Sequence, residues 1–193
     1  MADNELLFTP KSCWEVFDQP EQRRAMDELA GRYLAFLSRC KTEREVVDLA
    51  TTMASAAGFA EDFSQDRVMR AFRGKTLFLA RRGKAPLGQG FRLVGAHADS
   101  PRLDFKQRPL TEECGIGQAK THYYGGIRKH QWLARPLALH GVIATRDGRV
   151  LPVCLGEDPS EPVFTVADLL PHLAQDQMDK PLSKAFDAEK LNV

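Results

Sequence analysis

The amino-acid sequence predicts an α/β layer fold, and three features of it do so. Two amphipathic helical stretches open the chain, short apolar strand-like runs follow them, and the second half alternates in the manner of β-structure punctuated by turns. With 193 residues, 43% of them hydrophobic and 27% charged, the chain is long enough for one ordinary domain or parts of two.

The elements follow in order. From about Glu21 to Cys40, the residues Met26, Leu29, Tyr33, Phe36, Leu37 and Cys40 recur at three- and four-residue steps, predicting one apolar helical face. Pro20 stands at a natural first-turn position. Thr42 and Glu45 form the S/T-x-x-E capping relation that starts a second helix. Its predicted buried stripe is Val46, Leu49, Ala50, Met53, Ala54 and Ala57, with Gly58 as the stop. Thr76 to Ala80 reads as a strand and residues 81–88 as its turn or loop. The run Phe91 to His97, apolar on both sides of the alternation, predicts a central strand covered on both faces. Beyond Pro101 the chain reads mostly as β-structure. Leu103 to Lys106 alternates, as do parts of Trp132 to Ala144; Gly125-Gly126 marks a bend, and Asp147-Gly148 carries a hairpin turn into Val150–Leu155. A short helix is expected over Val166–Leu173, and the last stretch from Lys180 is polar without a stop signal.

The chemistry concentrates at the end of the Phe91 run. His97 and Asp99 stand two apart, so on a strand both side chains enter one cleft before Ser100-Pro101 stops it. A metal-bound imidazole usually gives its second ring N–H to a carboxylate, which fixes its tautomer and raises its basicity. The spacing thus allows one metal ligand and a supporting carboxylate. A zinc site needs at least three protein ligands, and His122, His130, His140 and His172 share no metal-ligand spacing. The alternative is a structural pair.

Other chemistries are excluded by their own requirements. Phe72 to Thr76 ends like a phosphate loop, but Met69 stands where the first glycine belongs and a strand follows. Asp99 replaces the glutamate of a zinc deaminase, and no Pro-Cys-x-x-Cys is present. Ser100 lacks the Gly-x-Ser-x-Gly elbow. The basic residues between Arg67 and Lys84 are interleaved with strand and turn residues, as on a solvated surface. With 27 basic against 26 acidic residues, neither nucleic acid nor an anionic membrane is an expected partner. No apolar run approaches the roughly 18–20 residues of a membrane span. Cys13, Cys40, Cys114 and Cys154 are scattered, spaced for neither zinc ribbon nor redox pair. The start, Met-Ala-Asp-Asn-Glu, is unlike a signal peptide, so a cytoplasmic protein with reduced thiols is expected. Thr121 to Gly126 is aromatic and polar enough to line a groove, or to pack at a β bend.

His97-Ala98-Asp99-Ser100-Pro101-Arg102-Leu103 resembles the His-x-Asp-Ser-Pro motif of the aspartyl-aminopeptidase family of dizinc metallopeptidases. The resemblance continues, in family order, through Lys120–Ile127, Arg135–Val142 and Phe164–Leu173. It implies the N-terminal part of a zinc-peptidase α/β sandwich over residues 1–101, followed over residues 102–193 by an inserted, mostly β dimerisation domain, both incomplete. It further implies that His97 is a zinc ligand, that Asp99 is the catalytic-centre carboxylate orienting it, and that His172 is lent to substrate binding in a neighbouring subunit. Implied partners are peptide substrates with N-terminal, acidic residues, and further copies of the chain, as dimers building a dodecamer. Two zinc ions are implied as cofactors. Family members run to more than twice this length and carry the remaining ligands later, so a truncated chain, inactive alone, is expected. A second expectation, from a different class, is a non-catalytic assembly or regulatory module that pairs with a complementary peptidase chain.

Overall fold

The computed structural model describes residues 8–193, and the expectation from the first five residues lies outside them. The chain divides into two units, one ending at Lys41 and the other running Thr42–Val193. No helix among the described residues is long and apolar enough to cross a membrane.

The first unit holds α1 (Cys13–Val16) and α2 (Pro20–Arg39). Pro20 occupies the first turn of α2, where its missing N–H costs nothing, and Gln22 reaches back to accept from the Gln19 N–H at 3.3 Å. Arg23 ties the two helices together: it donates to the Trp14 carbonyl at 2.6 Å and lies 4.5 Å over the indole. The apolar periodicity is present as predicted, yet no residue of α2 is buried, and Leu29, Tyr33 and Leu37 stand exposed. Periodicity fixes which face an environment would cover; it does not supply the cover.

The second unit begins with α3 (Glu43–Ala56), whose capping box forms as predicted. The Thr42 N–H donates to Glu45 Oε2 at 2.9 Å, and the Glu45 N–H to Thr42 Oγ1 at 3.4 Å. Gly58, at φ +81°, closes the helix. Its N–H meets the Ser55 carbonyl at 2.9 Å and that of Phe59 the Ala54 carbonyl at 3.0 Å, which together form a Schellman cap. The buried stripe is rotated from the expected one: Val47 and Ala54 are buried, while Met53 is exposed.

The rotation follows from what α3 packs on, the hairpin of β1 (Arg67–Phe72) and β2 (Thr76–Arg81). Strand β1 carries no clear apolar alternation, because Arg67 and Arg70 interrupt it. Its Val68 and Met69 are nevertheless buried, and Arg67 donates to the Ala57 carbonyl at the end of α3. Arg73 and Gly74 carry φ values of 52° and 63°, and the Lys75 N–H closes on the Phe72 carbonyl at 2.9 Å. This is a tight hairpin turn with three residues between the paired Phe72 and Thr76, at the place whose sequence ends like a phosphate loop.

The run 91–97 corrects the prediction most. It is extended but belongs to no ladder, and Phe91, Leu93 and Val94 are 75%, 82% and 94% exposed. A central strand requires neighbours on both edges, and the described residues form three separate two-stranded antiparallel sheets instead.

After Pro101 comes the longest pairing, β3 (Arg102–Glu113) with β4 (Ile116–Tyr124), joined by a turn at Cys114 (φ 54°) and Gly115 (φ 77°). The register jumps between Phe105 and Leu110. Pro109 lies in that gap, and a residue without an N–H belongs at such a bulge. On the other edge of β4, Ala119 and Val193 exchange backbone hydrogen bonds at 2.6 and 3.0 Å, and Thr121 donates to the Leu191 carbonyl; Thr121 and Leu191 are buried.

The hairpin of β5 (Leu139–Ala144) and β6 (Val150–Leu155) forms around Asp147-Gly148 as predicted. His140 fastens it to α3, with Nδ1 2.7 Å from Glu45 Oε1 and Nε2 2.9 Å from Glu157 Oε1. The helix expected over Val166–Leu173 is absent. Val166 is buried in a bridge to Leu133, and only Pro171–Leu173 forms a 3₁₀ turn, because Pro171 holds Leu170 in the extended region at ψ 149°. Two single-turn helices, α4 (Gln175–Met178) and α5 (Leu182–Ala185), and a 3₁₀ turn, Ala188–Lys190, lead into the last residues, which pair with β4.

Candidate functional site

His97 and Asp99 come together as the spacing predicts, in a segment without ladder partners rather than on a strand face. His97 Nδ1 lies 3.0 Å from the Asp99 carbonyl oxygen and 3.3 Å from its Oδ1. A carbonyl only accepts, so Nδ1 carries the hydrogen and the lone pair of the neutral ring sits on Nε2. The ring is 84% exposed and the Asp99 side chain 36%.

Three elements converge behind this pair. Tyr124, the last residue of β4, donates its hydroxyl to Asp99 Oδ2 at 2.5 Å. Arg102, the first residue of β3, stands directly opposite Tyr124 in the ladder and lays its guanidinium 4.3 Å over that ring. The same guanidinium holds Asp104 at 2.7 Å, the Ser100 carbonyl at 3.2 Å and Glu43 Oε2 at 3.6 Å. Glu43, at the start of α3, also pairs with Lys75 in the β1–β2 connection at 3.0 Å. Gly125 turns the chain beside Pro101 at φ +72°, a backbone conformation that favours glycine.

The charges follow from these contacts. The Tyr124 hydroxyl, then the Asp99 backbone N–H and His97, hold the Asp99 carboxyl below the usual aspartate range. The same shared proton raises Tyr124. Burial pushes Glu43 upward, but its own backbone N–H, Lys75 and Arg102 together bring it below the usual glutamate range.

His172 lies on the exposed 3₁₀ turn Pro171–Leu173 and makes no hydrogen bond to His97 or Asp99. Sequence reading assigned Glu43 no role, and it met Arg102 only inside the His97–Leu103 motif and Tyr124 only inside the Thr121–Gly126 run and the Lys120–Ile127 block, with no role for either. That run was the available signal; the contacts of Arg102 with Tyr124 and Glu43 are long-range and leave none. A second histidine cluster, His140 with Glu45 and Glu157, has Cys154 Sγ 4.0 Å from Nε2. The Cys154 thiol is pushed up by desolvation and then by Glu157, Glu45 and Glu161, the opposite of what a nucleophile needs. The open cleft of ≈ 590 Å³ lined by Phe63, Arg81, Phe91 and Arg92 includes none of the candidate site residues.

Metal binding tests the pair directly. Among the described residues no three His, Cys, Asp or Glu side chains are grouped to hold a metal ion. The corner fits one ligand position, His97 through Nε2, with Asp99 as the carboxylate behind it; no complete site is present among those residues.

Comparison with known proteins bears on this corner. Residues 36–192 match the family described as aminopeptidase I zinc metalloprotease (M18). A probable M18 family aminopeptidase 1 of Clostridium acetobutylicum is 44% identical over 200 aligned positions, covering 98% of this chain and 43% of the relative. The crystal structure of an M18 aminopeptidase from Thermotoga maritima superposes with a TM-score of 0.84 at 40% identity, over 96% of this chain and 41% of that one. That of aminopeptidase I from Borrelia burgdorferi gives 0.77 at 33% identity, over 83% and 41%. The chain thus spans about two fifths of the length of the relatives it matches.

Proposed function

Because the chain belongs to the aminopeptidase I family of zinc metalloproteases (M18), we propose that it carries the N-terminal part of a zinc aminopeptidase that removes N-terminal, acidic residues from peptides. The observation that carries this reading is the His97–Asp99 pair, whose geometry leaves the Nε2 lone pair available for a metal within a stretch that matches the family. His97 is a zinc ligand and Asp99 orients it. Two zinc ions serve the complete enzyme, and when bound they activate water and polarise the scissile carbonyl. The remaining ligands come from sequence beyond these two fifths, so the 193-residue chain alone does not hydrolyse peptides.

Residues 102–193 are the inserted dimerisation domain, entered at Ser100-Pro101, and the enzyme assembles as dimers building a dodecamer in the cytoplasm. Strand edges and apolar side chains at the surface of the β3–β4 hairpin, Leu110 and Ile116 among them, support a subunit contact there. His172, exposed beside Leu173, is lent to a neighbouring subunit's substrate site.

The test uses the purified chain with excess zinc and peptides beginning with Asp or Glu. No release is expected, and clear turnover overturns the fragment reading. In the full-length enzyme, His97→Ala abolishes activity and lowers bound zinc; unchanged zinc content refutes the ligand assignment. A second reading, an assembly module for a complementary peptidase chain, is favoured by the unpaired run at Phe91–Val94. Light scattering of the chain with and without its C-terminal complement decides it: a monomer that ignores the complement argues against pairing.

A further inference from the structure

We propose that Tyr124 is a positioning residue of the metal-ligand corner, its hydroxyl fixing Asp99 and, through the carbonyl and carboxylate of that residue, the tautomer and direction of the His97 ring. This rests on the reading of His97 as a ligand. A neutral imidazole without a partner favours hydrogen on Nε2, which blocks the nitrogen a metal would use; holding the hydrogen on Nδ1 requires an acceptor that stays in place. Asp99 supplies the acceptors within reach, its backbone carbonyl at 3.0 Å and its carboxylate Oδ1 at 3.3 Å, but it sits in a segment with no ladder partner, where its carboxylate otherwise meets only its own backbone N–H.

Among the described residues, Tyr124 is the side chain that hydrogen-bonds Asp99 to a sheet. Its backbone is in the β3–β4 ladder opposite Arg102, its ring lies under the Arg102 guanidinium at 4.3 Å, and its hydroxyl meets Asp99 Oδ2 at 2.5 Å. Arg102 is in turn held by Asp104 and by Glu43, which is itself paired with Lys75. The orientation of His97 is therefore inherited, through one phenolic hydrogen bond, from the register of a hairpin and the first turn of a helix.

The test uses the full chain, labelled with ¹⁵N, at pH 8, where an ordinary imidazole is neutral. Ring-nitrogen spectra, with His97 identified from His97→Ala, are expected to show the Nδ1–H form in the native chain and a shift toward Nε2–H in Tyr124→Phe. That variant keeps the ring under Arg102 and removes only the hydroxyl. Tyr124→Leu serves as a second variant and should shift at least as far. Titration with zinc chloride, followed at the same resonance, is expected to move to about tenfold higher concentration, the lower end of what losing an outer-shell partner costs. In an Asp99→Ala background Tyr124→Phe should change nothing further. An unchanged tautomer and zinc midpoint in Tyr124→Phe overturn the proposal. So does an undiminished effect in the Asp99→Ala background, which would mean the tyrosine acts by another route. If instead His97→Ala leaves zinc binding unaltered, the ligand reading fails, a result distinct from either of these.

Discussion

His140→Leu tests how α3 is held to the β5–β6 hairpin. The ring is nearly buried, at 9% exposure, with Glu45 Oε1 2.7 Å from one nitrogen and Glu157 Oε1 2.9 Å from the other. Hydrogen bonds to charged groups contribute about 1.5–3 kcal/mol each where solvent is excluded. Here the carboxylates are 31% and 45% exposed and regain water when the ring is lost. Screening therefore reduces each contact to about 1 kcal/mol, and the pair to about 2 kcal/mol. For a chain of this size that corresponds to a fall in Tm of about 4–8 °C. Thermal unfolding followed by circular dichroism gives the total, and a double-mutant cycle with Glu157→Gln isolates one contact. Glu45 is unsuitable for the cycle because it also completes the cap of α3. A change in Tm below about 1 °C refutes the argument. So does a Glu157→Gln effect as large in the His140→Leu background as in the native chain, since the contact would then not be the source.

Three further outcomes are expected. Glu43 is depressed in the folded chain, so the stability it contributes is fully present above the ordinary glutamate value of 4.5 and lost as pH falls through its lower folded value. Glu43→Gln should flatten that part of an acid-unfolding profile, and an unchanged slope would assign the effect elsewhere. Gly125→Val places a β-branched residue at φ +72° and should destabilise the chain by about 1–2 kcal/mol, measured by urea unfolding; equal stability would show the turn is not needed. The amides of 91–96, outside any ladder, should exchange with deuterium within seconds in this chain and slow markedly when its C-terminal complement is added. Equal rates with and without the complement would argue that this run is not a strand awaiting partners.

Legibility in the sequence depended on how local the governing chemistry is. The Thr42–Glu45 box, the Gly58 stop and the Asp147-Gly148 turn each involve a few adjacent residues, and each appears as read. Strand β1 was hidden because its burial comes from α3, not from its own alternation. The Phe91 run shows the converse error: an apolar pattern states what a segment would do between two neighbours, not that the neighbours are there. At Val166–Leu173 the apolar count outweighed Pro171, although the proline's effect on the preceding residue decides the conformation. His97 and Asp99 were visible as a pair because they are two residues apart. Tyr124 lies 25 residues from Asp99, and only the fold joins them.

The bulge around Pro109 divides the β3–β4 hairpin into two lengths with separate duties. The inner length, Arg102–Phe105 against Thr121–Tyr124, carries Tyr124, Arg102 and Asp104, the hairpin residues that stand behind the His97 corner. The outer length, Leu110–Glu113 against Ile116–Ala119, projects past an interruption that breaks continuous register and increases local twist. A change of angle or sequence at the tip is therefore absorbed at the bulge before it reaches Tyr124. The hairpin can be reshaped for different neighbours at its far end while the alignment of one imidazole at its near end stays the same.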